Sequence, residues 1–283
     1  MPVAILLALL SALCYGTSDY VGGRASRGVS PLTVALAGEL TIVPVTLFVI
    51  PLVEDASFTA AALWWGMAGG VAGSAGVLGL YAALSRGAMT VVAPITGVVA
   101  AVLPVADGLA TGERPGPVAV IGIALAILAV ALIGGAVGAL HQPVAVPTVV
   151  LSVVVGALFG FLFVALAQTG DDSGLWPLLS ARFGAAPLLA TAFVVGHRRR
   201  AVDRLDGRIW RIGVVIGRLI VLANALYLLS TREGLLSIVA VVVSLYPAST
   251  VLLASVVDRE RSTRPQLTGM VLAAVAVALV TSG

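Results

Sequence analysis

Among the charged side chains that fall within long apolar segments, four could bind a charged ligand or carry a proton: Asp19, Glu39, Arg182 and Arg218. A charge inside a hydrocarbon layer is costly unless it faces protein or water, so each is a candidate functional residue. Glu39 is the leading candidate for proton coupling. Arg218 is the leading candidate for an anion contact, because a guanidinium holds a carboxylate or phosphate through its planar fork of donors.

Structural roles are the alternative for the same residues. Glu39 can pair with an arginine of another helix, and Asp19 can reach the headgroup region at the end of its helix. Arg182 and Arg218 can each neutralise Glu39 or Asp19, and for Arg182 we favour this pairing.

Neutral polar residues add two groups to the candidates. Four side chains share one helix face through their i, i+4, i+7, i+8 spacing: Ser11, Tyr15, Ser18 and Asp19. We expect this stripe to face a cavity rather than lipid. Asn224 and Tyr227 can hydrogen-bond a ligand, but polar residues also join helices within membranes.

The segments that carry these residues are too apolar for a soluble fold. The chain has 283 residues, of which 60% are hydrophobic and 10% charged, against about 25% charged in an ordinary soluble domain. Apolar runs of this length predict an all-α membrane protein of about ten transmembrane helices. The predicted spans are 3–22, 31–52, 61–82, 88–110, 116–136, 148–168, 175–195, 209–229, 236–257 and 264–282.

Several function classes find no support in the sequence. The net charge is only +3 and the arginines lie in short loops, which argues against nucleic acid as a partner. HExxH, GxSxG and Walker A motifs are absent. The two histidines, His141 and His197, are far apart, and Cys14 is the single cysteine. We therefore expect no catalytic residues, no metal and no cofactor.

An internal repeat relates the two halves of the chain. A shift of 146 residues places Trp64 on Trp210 and Tyr81 on Tyr227, and a shift of 147 places Glu113 on Glu260. The repeats are predicted as residues 1–140 and 141–283. Because each has five spans, an odd number, the two insert in opposite orientations. Inverted repeats are a transporter architecture, with the substrate bound near the midplane where the repeats meet.

Arginines are unevenly distributed between the loops. Eleven lie in loops that follow odd-numbered spans, whereas only Arg114 and Arg232 lie in loops that follow even-numbered spans. The positive-inside rule then places both termini outside the plasma (inner) membrane.

Three further features concern packing. Pro247 is expected to kink the ninth span. Glycine pairs at i, i+4 in spans three and eight, such as Gly213 and Gly217, predict close helix contacts. Glu113 and Glu260 are expected to favour the dipole of the helix that follows each of them.

The chain resembles the drug/metabolite transporter superfamily, specifically its ten-helix members with two EamA-type repeats. Four stretches carry the resemblance: Cys14–Tyr20, Gly87–Pro94, Gly112–Arg114 and Arg259–Arg261. Arg182 matches an arginine in the second helix of such repeats, but Leu36 occupies the corresponding position of the first repeat. The family leads us to expect termini inside, opposite to the arginine count.

The resemblance and the repeats together imply a secondary transporter of a small metabolite. We expect alternating access, with proton coupling as one means of driving it. A membrane-embedded lipid-handling protein and a non-transporting scaffold or sensor are the alternatives. The expected partners are a small-molecule substrate and the lipid bilayer, and ten helices suffice for a monomeric pathway.

Overall fold

The computed structural model describes residues 1–50, 56–84, 89–139, 145–259 and 261–282. Its helices, in chain order, are α1 (Pro2–Ala25), α2 (Pro31–Val49), α3 (Ala60–Leu84), α4 (Met89–Ala110), α5 (Pro117–Gly134), the single-turn α6 (Ala136–Ala139), α7 (Val146–Ala167), α8 (Trp176–Arg198), α9 (Gly207–Glu233), α10 (Leu236–Val243), α11 (Tyr246–Val257) and α12 (Arg264–Ser282). His141 and Glu260 lie outside the described residues, as does Gly87 at the start of one family motif.

Proline explains where many of these helices begin. It occupies the first turn of α1, α2, α5, α7, α8 and α11, where its missing N–H would have had no partner within the helix. The start of α9 is capped instead by Asp206, whose carboxylate accepts the amides of Arg208 (2.9 Å) and Ile209 (2.8 Å).

Within the described residues, nine segments are long and apolar enough to cross a membrane, and α10 with α11 forms one of them. The described apolar part of α4, Ile95–Ala110, is shorter, and the whole of α4 supplies the tenth span. The predicted all-α fold of two inverted five-helix repeats is therefore confirmed. The boundary that we placed between residues 140 and 141 stays a prediction.

Helix packing follows the two repeats, whose helices correspond as α1 to α7, α2 to α8, α3 to α9, α4 to α10–α11, and α5 to α12. The contact of α3 with α8 has its counterpart in that of α9 with α2. Likewise α3 packs on α7 as α9 packs on α1, and α5 packs on its own counterpart, α12. These paired contacts describe a pseudo-twofold axis in the membrane plane, so most principal contacts join one repeat to the other.

Glycine permits close approach of backbones at several of these contacts. A Cβ at Gly213 would lie 2.6 Å from the carbonyl oxygen of Ala37, and one at Gly217 would lie 3.0 Å from that of Gly38. The predicted role of this glycine pair in close packing is confirmed for α9 against α2.

The bundle has two ends. The termini side carries Met1, Ser282 and the loop between α9 and α10. The arginine-rich side carries the loops 26–30 and 199–206 and the residues 258–259 and 261–263. The ninth span breaks between them at Ser244–Leu245, two residues before Pro247, which has no amide hydrogen to continue the helix. The predicted kink is thus a full interruption, with α10 toward the termini side and α11 toward the arginine-rich side.

Candidate functional site

The polar stripe of α1 meets α9 near the middle of the bundle. The Ser11 hydroxyl donates to the carbonyl oxygen of Ala223 (2.8 Å), and the Tyr15 hydroxyl donates to Oδ1 of Asn224 (2.9 Å). The Asn224 side-chain amide in turn donates to the carbonyl oxygen of Ile220 (2.7 Å). Tyr15 and Asn224, two residues of the predicted site, are therefore brought together as a link between the repeats.

Aromatic rings surround this link. The Tyr15 ring lies 6.1 Å from that of Phe163 and 6.2 Å from that of Tyr246, measured between centroids. Phe163 contacts Tyr227 at 4.8 Å. These four rings, which we call the aromatic cluster, come from α1, α7, α9 and α11, so they lie where the two repeats and the broken span meet.

Asp19 lies one turn beyond Tyr15 on the same face of α1. Although this face is mostly buried, as at Ala8 and Ser11, Asp19 itself is exposed. The outward face of α1, marked by Leu6 and Leu13, points in a different direction. Asp19 is therefore accessible on the side of α1 that faces its partner helices, six residues before the helix ends.

The surroundings of Asp19 are those of a candidate binding group. Tyr15 and Tyr246 lie within electrostatic reach of its carboxylate, and Ser18 beside it is buried. Asp19 makes no ion pair or hydrogen bond with any residue that the structure describes. A carboxylate that is inside a span, accessible and unpaired is available to a cationic group or a proton.

The two halves of the broken span differ in burial. All eight residues of α10 are buried, whereas none of the twelve residues of α11 is buried. The first turn of α11 is tied to α1 through hydroxyls: Ser249 donates to the carbonyl oxygen of Ala12 (3.1 Å) and Thr250 to that of Gly16 (3.0 Å). Only a glycine fits at position 16, because a Cβ there would overlap the Tyr246 carbonyl and the Ser249 hydroxyl.

Glu39 and Arg182 form an ion pair between α2 and α8. The Arg182 Nη1 lies 2.8 Å from Oε2 of Glu39, and their side chains are 16% and 18% exposed. This is the pairing that the sequence favoured for Arg182 and left open for Glu39. A coupling role for Glu39 stays a prediction, and such a role would require the pair to separate.

Tyr227 belongs to the aromatic cluster but is not accessible to a ligand, and Arg218 lies away from the cluster. Tyr227 is fully buried, and its hydroxyl donates to the carbonyl oxygen of Phe163 (2.9 Å), which joins α9 to α7. Arg218 is exposed on the opposite face of α9, beside Val215 and Leu222, and has no ion pair with a described residue. An anion bound by Arg218 would therefore not also contact Tyr15 or Asn224.

The expectation for Glu113 is wrong about the helix that its carboxylate contacts. Glu113 does not act on α5, the helix that follows it; its carboxylate reaches the start of α10 in the other repeat. Its two oxygens accept the amide hydrogens of Leu236 and Ser237, the latter at 2.9 Å. The charge still lies at a helix N-terminus, where the dipole favours an acid, but the contact ties the first repeat to the second.

Sequence reasoning missed three residues of this region: Phe163, Tyr246 and Ser249. Tyr246 carried a signal, since it precedes the proline that breaks the span. Phe163 and Ser249 resemble the many other apolar or small residues of their segments. No group of three or more His, Cys, Asp or Glu side chains that could hold a metal occurs among the described residues.

Known proteins resemble this chain in family and in fold. The EamA-like transporter family matches residues 2–135 and 146–282. A solved crystal structure superposes with a TM-score of 0.79 at 15% sequence identity, covering 99% of this chain and 96% of the other, and this likeness concerns the fold alone. No curated protein sequence matches the chain significantly. Because the family match covers nearly the whole sequence as two repeats, the chain belongs to the EamA-like transporter family.

Proposed function

We propose that this protein is a secondary transporter that moves a small polar or amphiphilic metabolite by alternating access. The observation that carries the proposal is the unequal burial of the broken ninth span, in which α10 is wholly buried and α11 has no buried residue. A path that is closed at one end and accessible at the other is what alternating access requires of each of its states.

Three contacts close the termini side in this state. Glu113 holds the start of α10, the Ser230 hydroxyl donates to the carbonyl oxygen of Ala4 (2.6 Å), and Gln168 donates to Asp107 (3.2 Å). All three join one repeat to the other. Opening of the termini side would have to break them, while closure of the arginine-rich side would have to bury α11.

Asp19 is our leading candidate for substrate binding or proton coupling. It lies in the arginine-rich half of α1, is exposed, and is unpaired among the described residues, whereas Glu39 is engaged by Arg182. The same path would be lined by Ser18, Tyr15 and Asn224, at the aromatic cluster. The carboxylate favours substrates with a cationic or hydrogen-bond-donating group.

A comparison of metabolites between cells tests the proposal. Matched cells would express the intact protein, Asp19→Asn, Glu39→Gln, the control Glu233→Gln or an empty vector, and medium and cytosol would be profiled. Glu233 suits as a control because it is an exposed acid at the end of α9. We expect a compound that the intact protein and Glu233→Gln redistribute and that Asp19→Asn does not.

Each outcome decides a different part of the proposal. Unchanged transport by Asp19→Asn would remove Asp19 from the mechanism, and unchanged transport with unchanged pH dependence in Glu39→Gln would remove Glu39 from coupling. If the intact protein redistributes no compound at verified membrane expression, and purified protein reconstituted in liposomes moves none of the compounds found in those cells, the transport function is wrong.

A further inference from the structure

A cleft separates the second helices of the two repeats. It has a volume of about 360 Å³, and its walls come from α2 (Leu36–Val43) and from α8 (Arg182–Phe193). Both walls are largely apolar, and the cleft is open toward the surroundings of the bundle, since Leu40 and Phe193 are 55% and 47% exposed. An apolar cleft at this position lies against the lipid.

Glycine contacts explain why the cleft stays unfilled. Gly38 directs α2 against Ile216 of α9, and Gly184 directs α8 against Met67 of α3. Each helix is thus drawn toward the third helix of the other repeat, and the space between α2 and α8 is left to side chains such as Ala186 and Ala190. The charges at the inner wall, Glu39 and Arg182, pair with each other, so this wall carries no net charge.

The loop between α8 and α9 forms the mouth of the cleft on the arginine-rich side. Val202 and Leu205 of this loop line the cleft. Hydrogen bonds hold the loop to the start of α2: the Ser30 amide donates to Asp203 (2.6 Å), and the Asp203 amide donates to the Thr33 hydroxyl (2.7 Å). The loop therefore has a fixed position at the level where the apolar cleft ends.

The end of α8 and this same loop carry a cluster of exposed arginines at the mouth: Arg198, Arg199, Arg200 and Arg204. None of them forms an ion pair with a residue that the structure describes. Basic groups at the membrane surface beside a pocket between helices are the setting in which anionic lipid headgroups bind, and guanidinium groups suit the phosphate.

We propose that the α2–α8 cleft binds an anionic phospholipid, with one acyl chain between the helices and the headgroup phosphate on the arginines of the 198–204 loop. The cleft shares Glu39 and Arg182 with the candidate transport residues, and it provides a means by which membrane composition acts on the relative positions of α2 and α8. These two helices are related by the pseudo-twofold axis, so a chain between them would resist their approach.

Lipid retention by the purified full-length protein tests the site. Protein in dodecyl maltoside would be incubated with phosphatidylglycerol or phosphatidylcholine, and bound lipid would be counted by native mass spectrometry. We expect phosphatidylglycerol to be retained preferentially by the intact chain. Retention should fall at least about tenfold in Ala190→Trp, which fills the cleft, and in Arg199→Gln/Arg200→Gln/Arg204→Gln, which removes the charges.

Two matched controls separate this site from general lipid contact. Ala274→Trp places the same side chain on the exposed face of α12, and Arg259→Gln/Arg261→Gln/Arg264→Gln removes three exposed charges from the same side of the membrane. Both should retain phosphatidylglycerol like the intact chain. Equal losses in either control, equal retention of the two lipids, or full retention in Ala190→Trp would overturn the proposal.

Soluble glycerol 3-phosphate distinguishes a lipid site from a phosphate site. It should displace phosphatidylglycerol poorly, because it lacks the acyl chain that occupies the cleft. Displacement at concentrations comparable to those of the lipid would mean that the loop binds small phosphates and that the cleft contributes nothing, which would contradict the proposal.

Discussion

Glu39 and Arg182 illustrate how a charge pair inside a membrane protein balances cost against attraction. Each side chain is largely removed from solvent, and each has the other as its ionic partner. Removing one partner of such a pair leaves the other without compensation, whereas replacing both removes the cost as well as the attraction.

This asymmetry gives a prediction for stability. Glu39→Gln or Arg182→Gln alone should lower the free energy of unfolding by about 1–3 kcal/mol, or lower the Tm by several degrees. The double variant should lose less than the sum of the two. Thermal unfolding of the purified proteins in detergent would measure this, and fully additive losses would show that the pair has no coupling energy.

Sequence alone could identify these residues as candidates but not their partners. Asp19, Glu39 and Arg182 were identified by their position inside predicted spans, because a charge there is costly unless it faces protein or water. Tyr15 and Asn224 are joined by a hydrogen bond although 209 positions separate them, and no local pattern encodes that distance. The exposed position of Arg218 likewise depends on which face of α9 meets α1 and α2.

At the scale of single helices, the sequence predicted the features that depend only on neighbouring residues of the same segment. Proline marked the helix starts and the break before α11, because a missing amide hydrogen affects only the backbone around it. The expectation for Glu113 failed for the complementary reason. Its carboxylate meets the amides of a helix in the other repeat, and nothing near residue 113 reveals that helix.

The contact between α1 and α11 depends on Gly16. Gly16→Val should force the two helices apart, with a loss of about 1–3 kcal/mol of stability from overpacking and a loss of transport. Gly22→Val is the matched control in the same helix, because its nearest neighbour, Ile216, would lie 3.7 Å from an added Cβ. Equal melting temperatures and transport rates in the two variants would show that the contact does not matter.

Glu113 should hold the termini side closed. Glu113→Ala leaves the amides of Leu236 and Ser237 without their acceptors, which destabilises the closed side by about 1–3 kcal/mol. In a Cys14→Ser background, a cysteine at the buried position of Ser237 should then react faster with a water-soluble maleimide. Glu233→Ala serves as the control, and an unchanged labelling rate in Glu113→Ala would exclude Glu113 as a latch.

For the whole molecule, the sequence predicted the number of spans and their repeat because both follow from hydropathy and self-similarity. The region 236–257 was expected as one span, and the structure has its two halves over the same residues. How the repeats pack could not be read from the sequence, since spans of nearly uniform hydrophobicity give no preference for a partner.

Membrane orientation is a property of the whole molecule that the arginine count predicts. In a Cys14→Ser background, Ser282→Cys should react with an impermeant maleimide on intact cells, whereas Ala201→Cys should react only after permeabilisation. Both positions are exposed in the structure. The reverse pattern would place the termini inside, as expected from the family resemblance. The arginine-rich side, which our proposal treats as the accessible one, would then face the outside of the cell.

The interleaving of the repeats has a consequence for biosynthesis. α1 packs mainly on α9, α10 and α11, and α5 packs mainly on α12, so the first helices to leave the ribosome find their main partners only after the second repeat has been translated. A nascent chain that ends after α5 would present Ser11, Tyr15 and Glu113 to lipid or to the insertion machinery with their hydrogen-bonding groups unmet. One repeat alone therefore lacks most of the helix contacts of the folded protein, and only a second copy in the opposite orientation could supply equivalent ones.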